Sequence, residues 1–214
     1  MLITHIFLDL DDVCNMFTMH ALSRVGCKVE PNELEKYDPK WGFDIVKAAN
    51  SLLTPITGSD LAFESAKAFW DELTGPEVWR DAPESPEFRP LLAFCRAVAR
   101  RNICLLTSPV RDPGCVTGKM EWIHRHMPKW MHRQFLIGPQ KHLLASEVAL
   151  LIDDSDENVN AFRTAGGYAS LFPRPWNSRH ELWRDPLGTV FSDVTRIVRA
   201  HDRTGAQLRP PAKA

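Results

Sequence analysis

Short apolar runs alternate along the chain with stretches of helical periodicity. Strands buried on both faces carry near-continuous apolar residues, which predicts strands at 2–8, 102–107, 134–137, 148–153 and 168–172. Apolar residues three and four positions apart predict helices at 13–25, 88–101, 117–127, 156–165 and 190–201, with another after Lys141. This alternation predicts an α/β fold, a doubly wound, Rossmann-like parallel sheet with right-handed crossovers.

Residues 27–87 differ from the rest of the chain because they contain no convincing strand. Their apolar spacing predicts helices at 42–53 and 59–74, the second capped by Thr57 or by Ser59-Asp60. We therefore expect a small helical insertion, called the cap, after the first strand. The predicted boundaries are core 1–13, cap 14–87, core 88–206 and a flexible tail at 207–214.

Composition excludes several classes of protein. Hydrophobic residues make up 44% of the chain and charged residues 25%, as in ordinary globular proteins. A formal net charge of -1 predicts no general attraction to nucleic acid or anionic membranes, and no apolar run is long enough to span a bilayer. His5 and Asp9 interrupt any secretory signal. Five cysteines without a C-x-x-C pair indicate reduced thiols and a cytoplasmic location.

Two predicted strands end on carboxylates. The first leads into Asp9-Leu10-Asp11-Asp12, and the strand at 148–153 ends at Asp153-Asp154. Each acidic pair by itself could be a polar strand end or a helix cap. Ligand sites of open α/β sheets lie beyond the carboxyl ends of the strands, and two acidic strand ends would repel each other there without a cation between them. Oxygen-only ligand sets suit Mg²⁺, which also engages substrate phosphates.

Other strand ends offer groups that suit phosphate. Thr107 and Ser108 follow the strand at 102–107, and Lys141 precedes a predicted helix. A carboxylate nucleophile with small hydroxyls, a lysine and metal-binding carboxylates suits phosphoryl transfer to an aspartate. Because Asp9 and Asp11 point to the same side of an extended chain, one can attack while the other handles protons.

These residues match four motifs of the haloacid dehalogenase-like hydrolases in order. Within that superfamily the segments DLDDVCNMF, LLTSPVR, FLIGPQKHLLA and LLIDDSDENV resemble the 5'(3')-deoxyribonucleotidase branch, which carries Thr-Ser-Pro at the second motif and a small helical cap. The resemblance covers the core well and the cap loosely. The residue after the second aspartate is often glycine in this branch, and here it is Asp12.

The resemblance implies a role for each matching residue. Asp9 would be the nucleophile and a Mg²⁺ ligand, and Asp11 the general acid and base, with its backbone carbonyl also on Mg²⁺. Asp153 would ligate Mg²⁺, and Asp154 would lie in the same group of ligands. The phosphate would contact Thr107, Ser108, Arg111 and Lys141. Phe17 falls where the branch has an aromatic side chain that stacks on the nucleobase.

The aromatic residues of the cap have two interpretations. Trp41, Phe43 and Trp70 could extend the wall begun by Phe17 and bind the base, or they could form the core of the cap. The basic stretch from Lys119 to His142 could bind a polynucleotide, but a solvated helix face is the interpretation that we favour.

We therefore predict a Mg²⁺-dependent phosphomonoesterase that acts on a nucleoside monophosphate through an aspartyl-phosphate. The enzymatic alternatives are another small phosphate ester and a polynucleotide 3'-phosphate. The non-enzymatic alternative is a nucleotide-binding protein with a decayed site. The expected partner is a small-molecule phosphate ester, above all a nucleotide, in preference to a polynucleotide. No membrane partner is expected, and a homodimer is left open.

Overall fold

A parallel five-stranded sheet forms the centre of the molecule. The computed structural model describes residues 3–58, 61–100 and 102–207. The strands lie in the order β3-β2-β1-β4-β5, with β1 in the middle. Their bounds are β1 His5–Leu8, β2 Ile103–Thr107, β3 Phe135–Ile137, β4 Ala149–Asp153 and β5 Tyr168–Leu171. All neighbouring pairs are parallel, which confirms the predicted α/β sheet.

Helices flank the sheet or build the cap. Their bounds are α1 Phe17–Arg24, α2 Ile45–Thr57, α3 Ala66–Asp71, α4 Glu77–Arg80, α5 Phe88–Ala99, α6 Pro113–His126, α7 Asp156–Thr164 and α8 Pro186–Gln207. Short 3-10 helices lie at Leu34–Lys36, Pro39–Trp41, Lys129–Met131, Lys141–Leu144 and His180–Leu182. Helix α5 shows why the pattern predicts the core helices, since Phe88, Leu91, Leu92, Cys95 and Ala99 form its buried face.

The pairing register of the strands brings the carboxyl ends of β1, β2 and β4 together. Leu8 of β1 pairs with Leu105 of β2 and with Ile152 of β4. The next residue continues the pairing, because the Asp9 amide donates to the Ile152 carbonyl at 2.9 Å. The carboxyl ends of β1, β2 and β4 therefore lie at one edge of the sheet, as the acidic strand ends required.

Two chain segments connect the cap to the core. Asn15 and Glu84 form an isolated antiparallel bridge. The Met16 amide donates to the Pro83 carbonyl at 2.9 Å, and the Ser85 amide donates to the Cys14 carbonyl at 3.0 Å. Most apolar residues of the cap belong to one cluster, which Cys115 of α6 and Trp176 also join, and two further clusters contain the apolar residues of the sheet. The exact domain boundaries stay a prediction.

Several predicted elements differ from the observed ones. Helix α1 begins at Phe17 rather than near residue 13, because residues 11–14 form turns and Asn15 pairs with Glu84. The predicted helix at 59–74 shortens to α3, whose cap is Ser65, with its hydroxyl accepting from the Ala68 amide. Ser59-Asp60 lies outside the described residues, and Thr57 ends α2. Helix α8 runs to Gln207, and the rest of the predicted tail lies outside the described residues.

No helix within the described ranges has the length and apolar character needed to cross a membrane.

Candidate active site

Three buried carboxylates meet at the carboxyl edge of the sheet. Asp9 follows β1, Asp153 ends β4, and Asp154 comes directly after it. One oxygen from each lies within 4.8 Å of the others. Close carboxylates in a buried position repel each other and favour a hard cation. The structure thus brings together the two acidic strand ends of the sequence.

The three carboxylates differ in how many protein donors they already contact. Asp153 accepts from Lys141, from the Ser155 amide and from Asn158, so both of its oxygens are engaged. Asp154 accepts one bond, from the Trp176 indole to Oδ2 at 2.6 Å. The Oδ1 atom of Asp9 contacts the Leu10 amide and Lys141. Within the described chain, Oδ2 of Asp9 and Oδ1 of Asp154 accept no hydrogen bond.

Lys141 lies between two of the carboxylates. Its Nζ lies 2.8 Å from Oδ1 of Asp9 and 2.7 Å from Oδ2 of Asp153, and the side chain is buried. Burial alone would lower the pKa of Lys141, but the two carboxylates outweigh it and raise the pKa above its usual value. The lysine therefore stays protonated.

Burial, which by itself would lower the pKa of Lys141, raises the pKa of the carboxyl groups. It raises the pKa of Asp9 to about 7, and the nearby carboxylates of Asp153 and Asp11 add to the shift, while Lys141 opposes it. Burial also raises the pKa of Asp154 well above its usual range, helped by Asp12 and Asp153. Both carboxyl groups therefore need nearby positive charge before they can be ionised at the same time.

Lys119 is a second buried lysine that the sequence interpretation assigned to a solvated helix face. Its Nζ lies 2.5 Å from Oδ2 of Asp11, 2.7 Å from the Thr107 hydroxyl and 2.5 Å from the Ser108 carbonyl. That interpretation is wrong for this residue. The missed signal is the preceding Gly118: a Cβ there would lie 2.3 Å from the carbonyl oxygen of Pro76. This glycine lets α6 pack closely on the cap, and Lys119, the next residue of the helix, is buried.

The remaining predicted phosphate ligands divide into two groups. Thr107 and Ser108 line the cavity above the carboxylates together with Lys119 and Lys141. Arg111 instead is exposed and lines a neighbouring cleft between α3 and the loop after β2. The two spaces share Ala66, Trp70 and Val110 in their walls, so Arg111 lies near the site but outside the catalytic cluster.

Asp12 occupies the position where the resembling branch often has glycine. Its φ of 61° is the left-handed backbone that this turn requires. The buried carboxylate accepts from the Thr18 amide at 2.9 Å and from the Thr18 hydroxyl at 2.6 Å. Asp12 thereby satisfies a backbone donor in the first turn of α1, and the side-chain oxygen of Asn15 accepts from the preceding Phe17 amide at 3.1 Å.

An aromatic wall stands over the carboxylates. Phe17 of α1 stacks on Trp79 of α4, with ring centroids 4.3 Å apart, and Trp70 lies parallel to Trp79 at 6.0 Å. All three line a cavity of about 650 Å³ that also contains Asp9 and Lys141. A cavity of this size with an apolar wall and a few polar groups is typical of small-molecule sites.

Two other predicted aromatic residues are placed differently. Phe43 lines the cavity and is 63% exposed. Trp41 packs edge-on against Tyr37 and belongs to the apolar cluster of the cap. The sequence interpretation missed Tyr37 and Trp176, which line the cavity on the side of Asp154. Both residues join the site through the contact between the cap and the loop that follows β5, which the sequence does not show.

Comparison with known families identifies this architecture. A model of the family described as "5' nucleotidase, deoxy (Pyrimidine), cytosolic type C protein" matches residues 2–185. No curated protein sequence matches the chain significantly.

A solved structure shows the same fold at low identity. A haloacid dehalogenase-like family hydrolase from Xanthomonas campestris matches with a TM-score of 0.56 and 13% identity, covering 94% of this chain and 99% of that chain. A hydrolase from Streptococcus pneumoniae TIGR4 matches with a TM-score of 0.48 and 12% identity, covering 85% of this chain and 99% of that chain. The first likeness supports the fold alone, and the second score is too low to carry an argument.

Proposed function

Because the chain belongs to the family of cytosolic type C 5' nucleotidases, we propose that it removes the phosphate from a nucleoside monophosphate, a deoxyribonucleotide in particular. The family assignment makes the protein a phosphatase of the haloacid dehalogenase-like fold. The single observation that supports the finer proposal is the convergence of Asp9, Lys141, Lys119 and Thr107 at the base of a cavity with a stacked aromatic wall.

The acidic triad fits Mg²⁺. Three buried carboxylates offer hard oxygen ligands within 4.8 Å of one another. Asp154 keeps Oδ1 without a protein donor, so we assign a direct contact to that oxygen. We add Asp9 and the backbone carbonyl of Asp11 as the resemblance implies, with Oδ2 of Asp9 left for the phosphorus. Asp153 belongs to the same group, but its oxygens are engaged by Lys141 and Asn158. When bound, Mg²⁺ neutralises negative charge on the carboxylates and on the substrate phosphate.

We assign the phosphate to two lysines and two hydroxyl side chains. Lys119 and Lys141 are buried, and each bridges an aspartate to this space. Positive charge fixed in a site that excludes water stabilises the charge of the transferring phosphoryl group. Thr107 and Ser108 supply neutral donors beside them. The predicted contact with Arg111 applies only to a group that extends into the neighbouring cleft.

Asp9 is the residue best placed to attack the phosphorus. The Leu10 amide and Lys141 hold its Oδ1 atom. Because these contacts fix the carboxyl group, its Oδ2 atom keeps one orientation. A bond forms between this oxygen and phosphorus while the bond between phosphorus and the ester oxygen breaks. The departing nucleoside oxygen takes a proton from Asp11, which gives the nucleoside and an aspartyl-phosphate.

Asp11 then acts as the base. It takes a proton from water, whose oxygen attacks phosphorus while the bond from Asp9 to phosphorus breaks, so that inorganic phosphate leaves and both carboxyl groups return to their starting states. Lys119 and Asn15 hold the two oxygens of Asp11 at 2.5 Å and 3.1 Å. These contacts fix the carboxyl group in one orientation beside Asp9.

The Asp9→Asn substitution tests the chemistry. An amide is a poor nucleophile, so the variant should keep less than a few per cent of the wild-type rate with every phosphate ester. Initial rates with a deoxynucleoside monophosphate and with p-nitrophenyl phosphate measure this. Asp185→Asn is the matched control, because asparagine is an equally good cap for α8 and Asp185 lies outside the cavity. Turnover of Asp9→Asn above that level would overturn the aspartyl-phosphate mechanism.

A substrate panel tests the finer proposal. The wild-type protein should prefer 5'-deoxynucleoside monophosphates over small esters without a base and over oligonucleotides with a 3'-phosphate. A preference for either competitor would select that alternative. Binding of a nucleotide without release of phosphate would favour the decayed-site alternative. The cytoplasmic location stays part of the proposal, in line with the family's description as cytosolic.

A further inference from the structure

The loop after β5 contacts both halves of the proposed site. Residues 172–177, which we call the clasp, include Arg174, Trp176 and Asn177. Arg174 donates from Nε to the Asp12 carbonyl at 2.7 Å. Trp176 donates to Oδ2 of Asp154, and Asn177 donates to the backbone carbonyl of Asp154 at 2.9 Å. One short segment therefore holds the loop after β1 and the loop after β4.

Arg174 also reaches the segments that connect the cap. Its Nη2 lies 3.3 Å from the Ser85 hydroxyl and 3.2 Å from Oε2 of Glu87, in the segment that leads from the cap back to the core. The same nitrogen lies 3.9 Å from the sulfur of Met16, in the outgoing segment. The guanidinium thus joins the nucleophile loop to both connections between cap and core.

The burial of Arg174 costs the folded state free energy. Arg174 is fully buried, and Nη1 finds no hydrogen-bond partner within the described part of the chain. Buried polar groups are normally paired, and those that are not tend to lie at functional sites. Among the described residues its one ion pair is with Glu87, which is only partly buried, and the Asp12 carboxylate acts on it at longer range. Packing alone does not account for an arginine here, since an apolar side chain would fill the space without this cost.

We propose that the clasp positions the two catalytic loops separately: Arg174 orients the loop that carries Asp9, and Trp176 orients Asp154 for the metal. The proposal rests on the phosphatase function argued above. Asp12, whose carbonyl Arg174 holds, also binds Thr18 at the start of α1. The nucleophile loop and the helix that carries Phe17 are therefore fixed by the same contacts. Neither clasp residue is a catalytic residue; both are positioning residues.

The two arms predict different defects. Arg174→Gln removes the bridge but keeps a polar side chain, and small displacements of a nucleophile cost roughly a hundredfold in rate, so kcat should fall about ten- to a hundredfold with every substrate. The half-saturating Mg²⁺ concentration should stay within about twofold. Trp176→Phe keeps a ring against Tyr37 but removes the donor to Asp154. Loss of such a supporting contact should weaken Mg²⁺ affinity by about ten- to a hundredfold.

Calorimetric titration of Mg²⁺ and steady-state kinetics on the same samples test this pair. Arg163→Gln is the matched control, because Arg163 also donates two bonds to a backbone carbonyl, that of Ala169, away from the cavity. The control should change neither value. Equal loss of kcat in Arg174→Gln and Arg163→Gln, or equal loss of Mg²⁺ affinity in Arg174→Gln and Trp176→Phe, would overturn the proposal.

Hydrogen exchange separates this proposal from the phosphatase assignment. The Met16 and Ser85 amides bond across the two connecting segments. In Arg174→Gln they should exchange at least about tenfold faster, while β1 amides keep wild-type protection. If Arg174→Gln does not fold, Arg174→Lys provides the same readout with its charge retained. Unchanged exchange in a folded variant would overturn the positioning role, even if wild-type protein showed no phosphatase activity.

Discussion

Individual side chains at the base of the cavity carry more than one contact each, and Lys119 is the clearest case. Its ammonium group contacts an acid, a hydroxyl and a backbone carbonyl while almost completely buried. Burying a charge costs free energy unless it is paired and hydrogen-bonded, so the three contacts explain how a lysine is tolerated there. The side chain is then already in place when a phosphate arrives.

Lys119→Met should weaken phosphate recognition while keeping the aliphatic stem. A hydrogen bond to a charged group contributes about 1.5–3 kcal/mol, so kcat/KM should fall roughly ten- to a hundredfold. The inhibition constant for inorganic phosphate, measured in the same assay, should rise by a similar factor.

Lys129→Met provides the comparison, because Lys129 lies outside the cavity. If phosphate inhibition of Lys119→Met matches wild type, Lys119 only holds Asp11 in place.

At the scale of elements, two glycines on one face of α6 let the core helix meet the cap. A Cβ on Gly114 would lie 2.5 Å from the Gly75 backbone, and one on Gly118 would lie 2.7 Å from the Trp79 Cβ. These positions are four residues apart, which places them on the same side of the helix. Close packing here brings Lys119 under the cap and fixes Trp79 against Phe17.

Gly118→Ala should destabilise the protein despite the better helix propensity of alanine. Alanine gains up to about 1 kcal/mol in a helix interior, but overpacking against backbone typically costs about 1–3 kcal/mol. We expect a net loss in denaturant unfolding together with reduced activity. A Cβ on Gly138 would have open space, so Gly138→Ala should change stability little. A stabilised Gly118→Ala variant would show that this contact relaxes without cost.

The stacked rings of α1 and α4 belong to the same scale, and Phe17→Leu tests their role in binding. Leucine keeps most of the volume, so the fold should persist, but it cannot stack on a base. Stacking is worth about 1–3 kcal/mol, which predicts a loss of roughly tenfold or more in kcat/KM for a nucleotide. The rate with p-nitrophenyl phosphate should barely change. Equal losses on both substrates would mean that Phe17 supports only the structure.

At the scale of the whole molecule, the carboxylates at the end of the sheet couple metal binding to stability. Three close acids repel each other without a cation, and a ligand that binds only the folded state stabilises it. Mg²⁺ at one hundred times its dissociation constant should therefore add about 2.7 kcal/mol to the free energy of unfolding.

Thermal melts of wild type and Asp154→Asn with and without Mg²⁺ measure this coupling. The variant keeps an acceptor for Trp176 but loses one charge of the triad, so its metal-free form should melt no lower than metal-free wild type. Its Mg²⁺-induced shift should be largely lost. A full shift in Asp154→Asn would assign the direct metal contacts to Asp9 and Asp153 instead.

The sequence by itself determined the sheet, the family and the acidic strand ends. Buried parallel strands are recognisable in the sequence as apolar runs. Each of these runs ends where the site begins, as at Asp9, Thr107 and Asp153. The fold class and the hydrolase assignment predicted from these signals are confirmed. The roles of the individual site residues stay predictions.

Only the tertiary structure decided which remote side chains complete the site. Trp176 and Arg174 have no periodic or motif signal, and Lys119 has only the glycine before it, because each acquires its role from a partner distant in the chain. Packing also decides the positions of Arg111 and Trp41. Arg111 lies in the neighbouring cleft and not in the catalytic cluster, and Trp41 packs against Tyr37 and not in the cavity wall. Sequence records the strand ends because backbone geometry places them locally, whereas helix packing and the loop after β5 place these other residues.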